Sequence, residues 1–352
     1  MTIAKPIIFD GHNDVLSKIF NEGGLASAAS FLKGREGAID LEKAEVGGFG
    51  GGFFAVYVPS QFDLEFSYQE MEKASYSLPL PEPIEWSEAV AVVASQVTIL
   101  REIERLGGLT ICRSVSDIRS AFEDGKIAAI FHIEGAEAID PDLHMLEVLH
   151  SAGLRSIGPV WSRPTIFGEG VPFSFPSTPN TGSGLTEQGI ALVKRCNDLK
   201  IMIDLSHLNE AGFWDVARHS NAPLVATHSN AHSITQHSRN LTDKQLRAIA
   251  ESDGMVGLNF ATAFLREDGK MLADVPLSQM LKHLDYLLEI IGEDRVGLGS
   301  DYDGAVMPEK LTDLSDLPNL RQAMKDHGYE EKIIKKICYE NWLRVLHKTW
   351  GC

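Results

Sequence analysis

Cysteine is scarce and scattered. Cys112, Cys196, Cys338 and Cys352 form no C-x-x-C pair, so neither a zinc ribbon nor a disulfide framework is indicated, and each thiol reads as a small core residue. Basic charge is also short: 32 Lys and Arg face 49 Asp and Glu, a formal net charge of -17. A chain this negative has no electrostatic footprint for nucleic acid or for an anionic membrane surface. No window approaches about 18 unbroken apolar residues, and residues 1–5 lack the apolar core of a signal peptide, so a cytoplasmic protein is expected. No G-x-S-x-G occurs, which removes the nucleophile elbow of a serine hydrolase. The glycine-rich run at 47–52 leads into an apolar strand that stops at Pro59, not into a helix. That excludes a phosphate cradle and points to close backbone packing.

What the chain does have is a repeated alternation. Short apolar runs at 7–9, 53–58, 127–133, 155–161, 201–205, 223–226, 255–260 and 296–299 read as strands, the first ending at about Phe9 or Asp10. Helical spacing fills most of the gaps, for example 186–199, 210–219, 242–251 and 277–291. Near-continuous apolar strands between amphipathic helices imply a parallel sheet covered on its outer face. Eight such units predict a (β/α)₈ TIM barrel. No linker or composition break divides the chain, so residues 1–352 are expected to form one domain, with a helical tail at about 316–350 capping it.

In such a barrel, function sits where the strands end, because the eight βα loops converge there. His12 and Asp14 follow the first strand, Glu134 the third, His207 the fifth, His228 the sixth and Asp301 the eighth. By composition alone, His, Asp or Glu would fall just past a given strand about one time in seven or eight. Five strands out of eight is a strong joint signal. Imidazole and carboxylate ligands suit a divalent metal of the zinc type. His12 and Asp14 would serve one ion, His207 and His228 another, with Glu134 bridging. Two ions about 3.5–4 Å apart would lower the pKa of a shared water and clamp a hydrolytic transition state. Asp301, without an evident metal duty, is placed to move the proton from that water to a leaving nitrogen.

The runs FDGHNDVL, IEGAEAID, IDLSHLNE, ATHSNAHSI with SRNLTD, and GLGSDYDGA resemble the renal (membrane) dipeptidase family, binuclear zinc peptidases of the amidohydrolase superfamily. The resemblance runs from about Ile7 to Asp303, with a looser echo at NWLRVL in the tail. It implies that His12, Asp14 and Glu134 hold one zinc and Glu134, His207 and His228 the other. It also implies that Arg239 grips the substrate's free carboxylate, that Asp301 is the catalytic carboxylate, and that a bridging hydroxide attacks the peptide bond of L,L or L,D dipeptides. A homodimer is likewise what the resemblance implies. Where well-known members carry a histidine after the fourth strand, this chain has GPVWSRPT, as some microbial members do. Trp161 takes that place with Arg163 close by, and both are candidate substrate contacts. An indole offers only one neutral donor, so transition-state charge would have to be met by Arg163 or by the zinc ions.

Two other functions fit the same residues: hydrolysis of N-acyl amino acids or β-lactams at the same metals, and metal-free binding of a small molecule. Among the remaining polar groups, His132 reads as a hydrogen-bonded interior histidine. His232 and His237 flank Arg239 in a polar loop. Asp303 is read as a loop-orienting residue, and Asp10 as either a turn residue or a support for the His12 ring.

Overall fold

The computed structural model describes residues 7–60 and 64–351. Eight parallel strands carry the architecture: β1 (Ile8–Asn13), β2 (Phe49–Tyr57), β3 (Ala128–Glu134), β4 (Leu154–Gly158), β5 (Met202–Ile203), β6 (Val225–Ala226), β7 (Met255–Asn259) and β8 (Val296–Gly299). Their order in the sheet is β5-β4-β3-β2-β1-β8-β7-β6. A parallel bridge between Asp204 and Val225 brings the two outer strands together, so the sheet curls into a nearly closed (β/α)₈ barrel. A two-residue strand, Thr110–Ile111, adds to the lower half of β3. The pair Tyr76–Ser77 and Ser174–Phe175 forms a separate antiparallel ribbon.

Helices cover the outside, and their starts follow local chemistry. Thr186, Asn209 and Thr242 each accept a backbone N–H three residues on, capping helices Glu187–Leu199, Glu210–His219 and Asp243–Glu251. Helix Leu277–Ile291 turns Met280, Leu284, Leu287 and Ile291 toward the sheet at helical spacing. Among the described residues no helix is long and apolar enough to cross a membrane.

Two strands extend several residues beyond the expected bounds. β1 runs on to Asn13, past the predicted end, because its pairing with β2 shifts register between Asp10 and Asn13 and the Asn13 amide bonds to Phe53 O at 3.0 Å. His12 and Asp14 therefore stand on or beside a strand, not in a free loop. β2 begins earlier than predicted and takes in Gly51 and Gly52, where any Cβ would strike the backbone of Ala128 or Asp10. Close packing is thus what those glycines permit.

The lower end of the barrel is apolar. Phe9, Phe53, Ile130, Met202, Val225 and Met255 meet Trp342, which enters from the tail helix Asn341–Trp350 and is fully buried. Its indole N–H donates to Leu298 O at 3.0 Å. The predicted helical tail is present as Leu317–Asp326, Glu331–Lys335, a π-helical turn Lys336–Glu340 and that last helix. It closes the end where the strands begin and leaves the other mouth open to function.

Candidate metal centre and substrate mouth

Six of the residues singled out at strand ends converge. Glu134 Oε1 lies 3.0 Å from His207 Nε2, 3.4 Å from His228 Nε2 and 3.6 Å from His12 Nε2. His12 Nε2 is 3.4 Å from Asp14 Oδ2. One oxygen of Glu134 thus faces three imidazoles. The Nε2 atoms of His207 and His228 face each other at 3.1 Å. Donor atoms of Glu134, His207 and His228 form one compact group, and those of His12, Asp14 and Asp301 a second. His207 and Asp301 hold left-handed backbone, φ 68° and 65°, which turns both side chains back over the mouth.

These residues fit divalent cations. Both ring nitrogens of His12 are buried without a hydrogen-bond partner, and two imidazole nitrogens point at one another beside a carboxylate. Cations among these atoms would satisfy His12 Nε2 and the facing nitrogens of His207 and His228, and nitrogen with oxygen is the zinc-type donor set. Charge tells the same story. Burial works against a charged His12, yet Glu134, Asp14 and Asp301 push its pKa up to about 10, so the carboxylates gathered there favour positive charge. Burial raises Glu134 well above the carboxylate range and raises Asp301 too, while it pushes His207 and His228 far below the usual histidine value.

The rings of His207 and His228 are held from behind. Ser162 Oγ meets His207 Nδ1 at 2.8 Å, and Thr227 Oγ1 meets His228 Nδ1 at 2.8 Å. A Cβ at Gly257 or Gly299 would collide with the Thr227 carbonyl, so these glycines let the end of β6 lean into the barrel and set His228 over its mouth. Asn259, at the end of β7, donates to Asp301 Oδ2 at 3.0 Å. Asp10 accepts from Ser300 N and Oγ at 2.6 and 2.7 Å, tying β1 to the end of β8 and leaving the His12 ring alone. His132 lies lower, bonded to Ser156 Oγ at 2.9 Å; burial drops its pKa to about 3.

The open mouth is lined by aromatic rings. Arg239 is buried with its guanidinium 5.3 Å above the Phe264 ring, and it makes no ion pair among the described residues. Nη2 donates to His228 O at 3.2 Å, while Nε has no partner. Burial lowers its pKa to about 10 against the pull of Asp301 and Glu134. Trp161 sits 5.6 Å from the His207 ring and 5.6 Å from Phe173, so it borders the centre. Arg163 corrects the expectation of a substrate contact. Its guanidinium donates to Glu137 Oε1 at 2.6 and 3.0 Å, to Ser60 Oγ and to Val58 O, and it is wholly buried beside Trp161 and Tyr57. With all three nitrogens engaged, it braces the wall. His232 bonds Ser177 O, and Asp303 accepts from Arg35 and from Ala38 N, as a loop-orienting residue would. His237 is buried against Phe264, its Nδ1 accepting from Arg239 N at 3.0 Å.

Sequence reasoning missed Ser162, Thr227, Asp204, Asn259 and the rings of Phe173 and Phe264. Asn259 was within reach, since it is the last residue but one of a predicted strand. Thr227 adjoins His228 in the chain, while Ser162 and Asp204 reach the histidines or Thr227 from more than 20 residues away.

A profile of the membrane dipeptidase family (peptidase family M19) matches residues 2–350. The fold and chain closely match a crystal structure of a metallopeptidase from Rhodobacter sphaeroides liganded with a phosphinate mimic of the dipeptide L-Ala-D-Ala. The two are 51% identical, with a TM-score of 0.96 over 97% of this chain and 99% of that one. A crystal structure of dipeptidase AC, a metallopeptidase of family M19, gives 51% identity and a TM-score of 0.95 over 98% and 99% of the two chains. An uncharacterised protein in the pqqA 5' region of Klebsiella pneumoniae is 47% identical over 265 residues, 75% of this chain and 98% of that one. With metal-ready histidines and carboxylates at one barrel mouth, the chain belongs to the membrane dipeptidase family of metallopeptidases, enzymes that hydrolyse dipeptides.

Proposed function

We propose that this chain is a two-zinc dipeptidase that cleaves L,L and L,D dipeptides, folded as one domain that includes its helical tail. The observation that carries the reading is Glu134 Oε1 standing within 3.6 Å of three imidazole nitrogens, two of them facing each other. His12, Asp14 and Glu134 would hold one ion, and Glu134, His207 and His228 the other. When bound, such a pair supplies Lewis acidity at the scissile carbonyl and a water acidic enough to act as nucleophile near neutral pH. Arg239 docks the substrate's carboxylate, for which its fork can offer two parallel hydrogen bonds. Asp301, steadied by Asn259, accepts the proton of the attacking water and hands it to the leaving nitrogen. Its raised proton affinity suits the second half of that task. Trp161 forms the wall beside His207, with Arg163 bracing it from behind. The L,D part of the proposal is supported by the Rhodobacter sphaeroides relative, which binds a mimic of L-Ala-D-Ala.

The test is a panel of L,L and L,D dipeptides against their N-acetylated counterparts, on protein purified without chelator and analysed for metal. The expected outcome is two zinc ions per chain and faster turnover of free dipeptides. Preference for blocked substrates would overturn the dipeptidase reading. Near-zero zinc with no activation by added zinc would overturn the metal centre.

A further inference from the structure

Behind His228 lie two buried polar side chains, Asp204 and Thr227, that the mechanism above does not use. Asp204 Oδ1 accepts from the backbone N–H of Ser206 at 3.0 Å and of Thr227 at 2.9 Å. Its Oδ2 is 2.5 Å from Thr227 Oγ1, and Thr227 Oγ1 is 2.8 Å from His228 Nδ1. All three residues are essentially inaccessible to solvent.

The directions of these bonds follow from counting hydrogens. A carboxylate only accepts, and a threonine hydroxyl owns a single hydrogen. At 2.5 Å that hydrogen belongs to the bond toward Asp204. Thr227 Oγ1 can then only accept from His228, which requires hydrogen on Nδ1. The neutral imidazole consequently presents a bare lone pair on Nε2, the atom that faces Glu134 and His207. Ser206 fits the same scheme: its hydroxyl accepts from His228 N at 3.1 Å and lies 3.5 Å from Thr227 Oγ1.

We infer that Asp204 and Thr227 are positioning residues that lock His228 in the Nδ1–H tautomer and so make its Nε2 a standing metal ligand. Ligand-bearing histidines are commonly oriented by a carboxylate directly; here a hydroxyl is interposed and passes the polarity along. Asp204 also lies near His12 and His228, close enough to be taken for a ligand itself. Both its oxygens are engaged elsewhere, so the structure assigns it to orientation instead. The inference rests on the metal-centre part of the proposed function, not on the identity of the substrate.

Three variants and one spectrum test it. In Asp204→Asn the shape is kept, but the amide turned toward Thr227 donates. The hydroxyl then donates onward to Nδ1, and the Nε2–H tautomer results. Thr227→Val deletes the relay, and Thr227→Ser keeps it. Zinc affinity, read by competition with a chromophoric chelator, should fall roughly 10- to 100-fold at one of the two sites in Asp204→Asn and Thr227→Val, and be restored in Thr227→Ser. In the zinc-loaded wild-type protein, histidine ¹⁵N spectra assigned with a His228 variant should show a protonated Nδ1 and a coordinated Nε2. Wild-type affinity in Asp204→Asn, or a bare Nδ1 on His228, would sink the inference. Loss in Asp204→Asn with no loss in Thr227→Val would make Asp204 a direct ligand and also overturn it. If Thr227→Val does not fold, Asp204→Asn and the wild-type spectrum still decide. Failure of wild-type protein to bind zinc at all would instead remove the metal centre, and tight zinc binding without dipeptide hydrolysis would remove only the substrate reading.

Discussion

The two ends of the barrel are made by the same eight strands and treat buried polar atoms in opposite ways. At the lower end Phe9, Phe53, Met202 and Met255 close on Trp342, whose one polar hydrogen is satisfied by Leu298 O. At the upper end both nitrogens of His12, Nε of Arg239 and Nε2 of His237 are buried without a partner, and His207, Asp301 and Asp303 hold left-handed backbone. A buried unpaired polar group costs about 1–3 kcal/mol, and a strained residue about as much again. At the mouth several such groups stand together, where a bound ligand could complete them. One end therefore supplies rigidity, and the other keeps unmet bonding capacity in a fixed geometry.

Substitutions at each end can break that division or sharpen it. The largest effect belongs to the upper end: Asp301→Asn keeps the hydrogen-bond partner Asn259 and should lower kcat roughly 10²- to 10⁴-fold, as loss of a general acid–base does. Its melting curve should match wild type; equal loss of stability would mean that Asp301 is a structural residue. Next, Trp342→Ala should remove about 3–5 kcal/mol from unfolding stability, read by denaturant titration of the zinc-loaded protein. Activity per folded molecule should stay near wild type, and a collapse of kcat in the folded fraction would show that the two ends are coupled. Arg239→Ala is the finer test, because the side chain is proposed to dock a carboxylate and also donates to His228 O. KM should rise roughly 10- to 100-fold, the worth of one charged hydrogen-bonded contact, with a smaller fall in kcat and a slight loss of stability. An unchanged kcat/KM would take Arg239 out of the substrate site.

Most of the site could be read before any fold was known, because parallel strands all end at the same mouth. A histidine or carboxylate just past an apolar run is thereby placed near every other such residue, whatever the loops between them do. His12, Glu134, His207, His228 and Asp301 obey that rule. Arg163 did not yield to it, since its counter-ion Glu137 lies 26 residues away and nothing in the spacing links the two. Thr227 was hidden for a related reason: it precedes His228 directly, but its importance depends on Asp204 across the strand gap, 23 residues earlier. Trp342 was visible only as part of an amphipathic tail, and its entry into the barrel rests on room left by glycines on other strands.

By itself, the order of apolar runs, caps and strand-end polar residues determined the barrel and which six side chains gather at its mouth, because these depend on periodicity and chain direction, which are local properties. The tertiary structure alone decided what each histidine ring bonds to, which arginine is buried without an ion pair among the described residues and which end is closed. Those outcomes depend on pairings between residues that the chain holds far apart, and a pattern along one dimension carries no record of them.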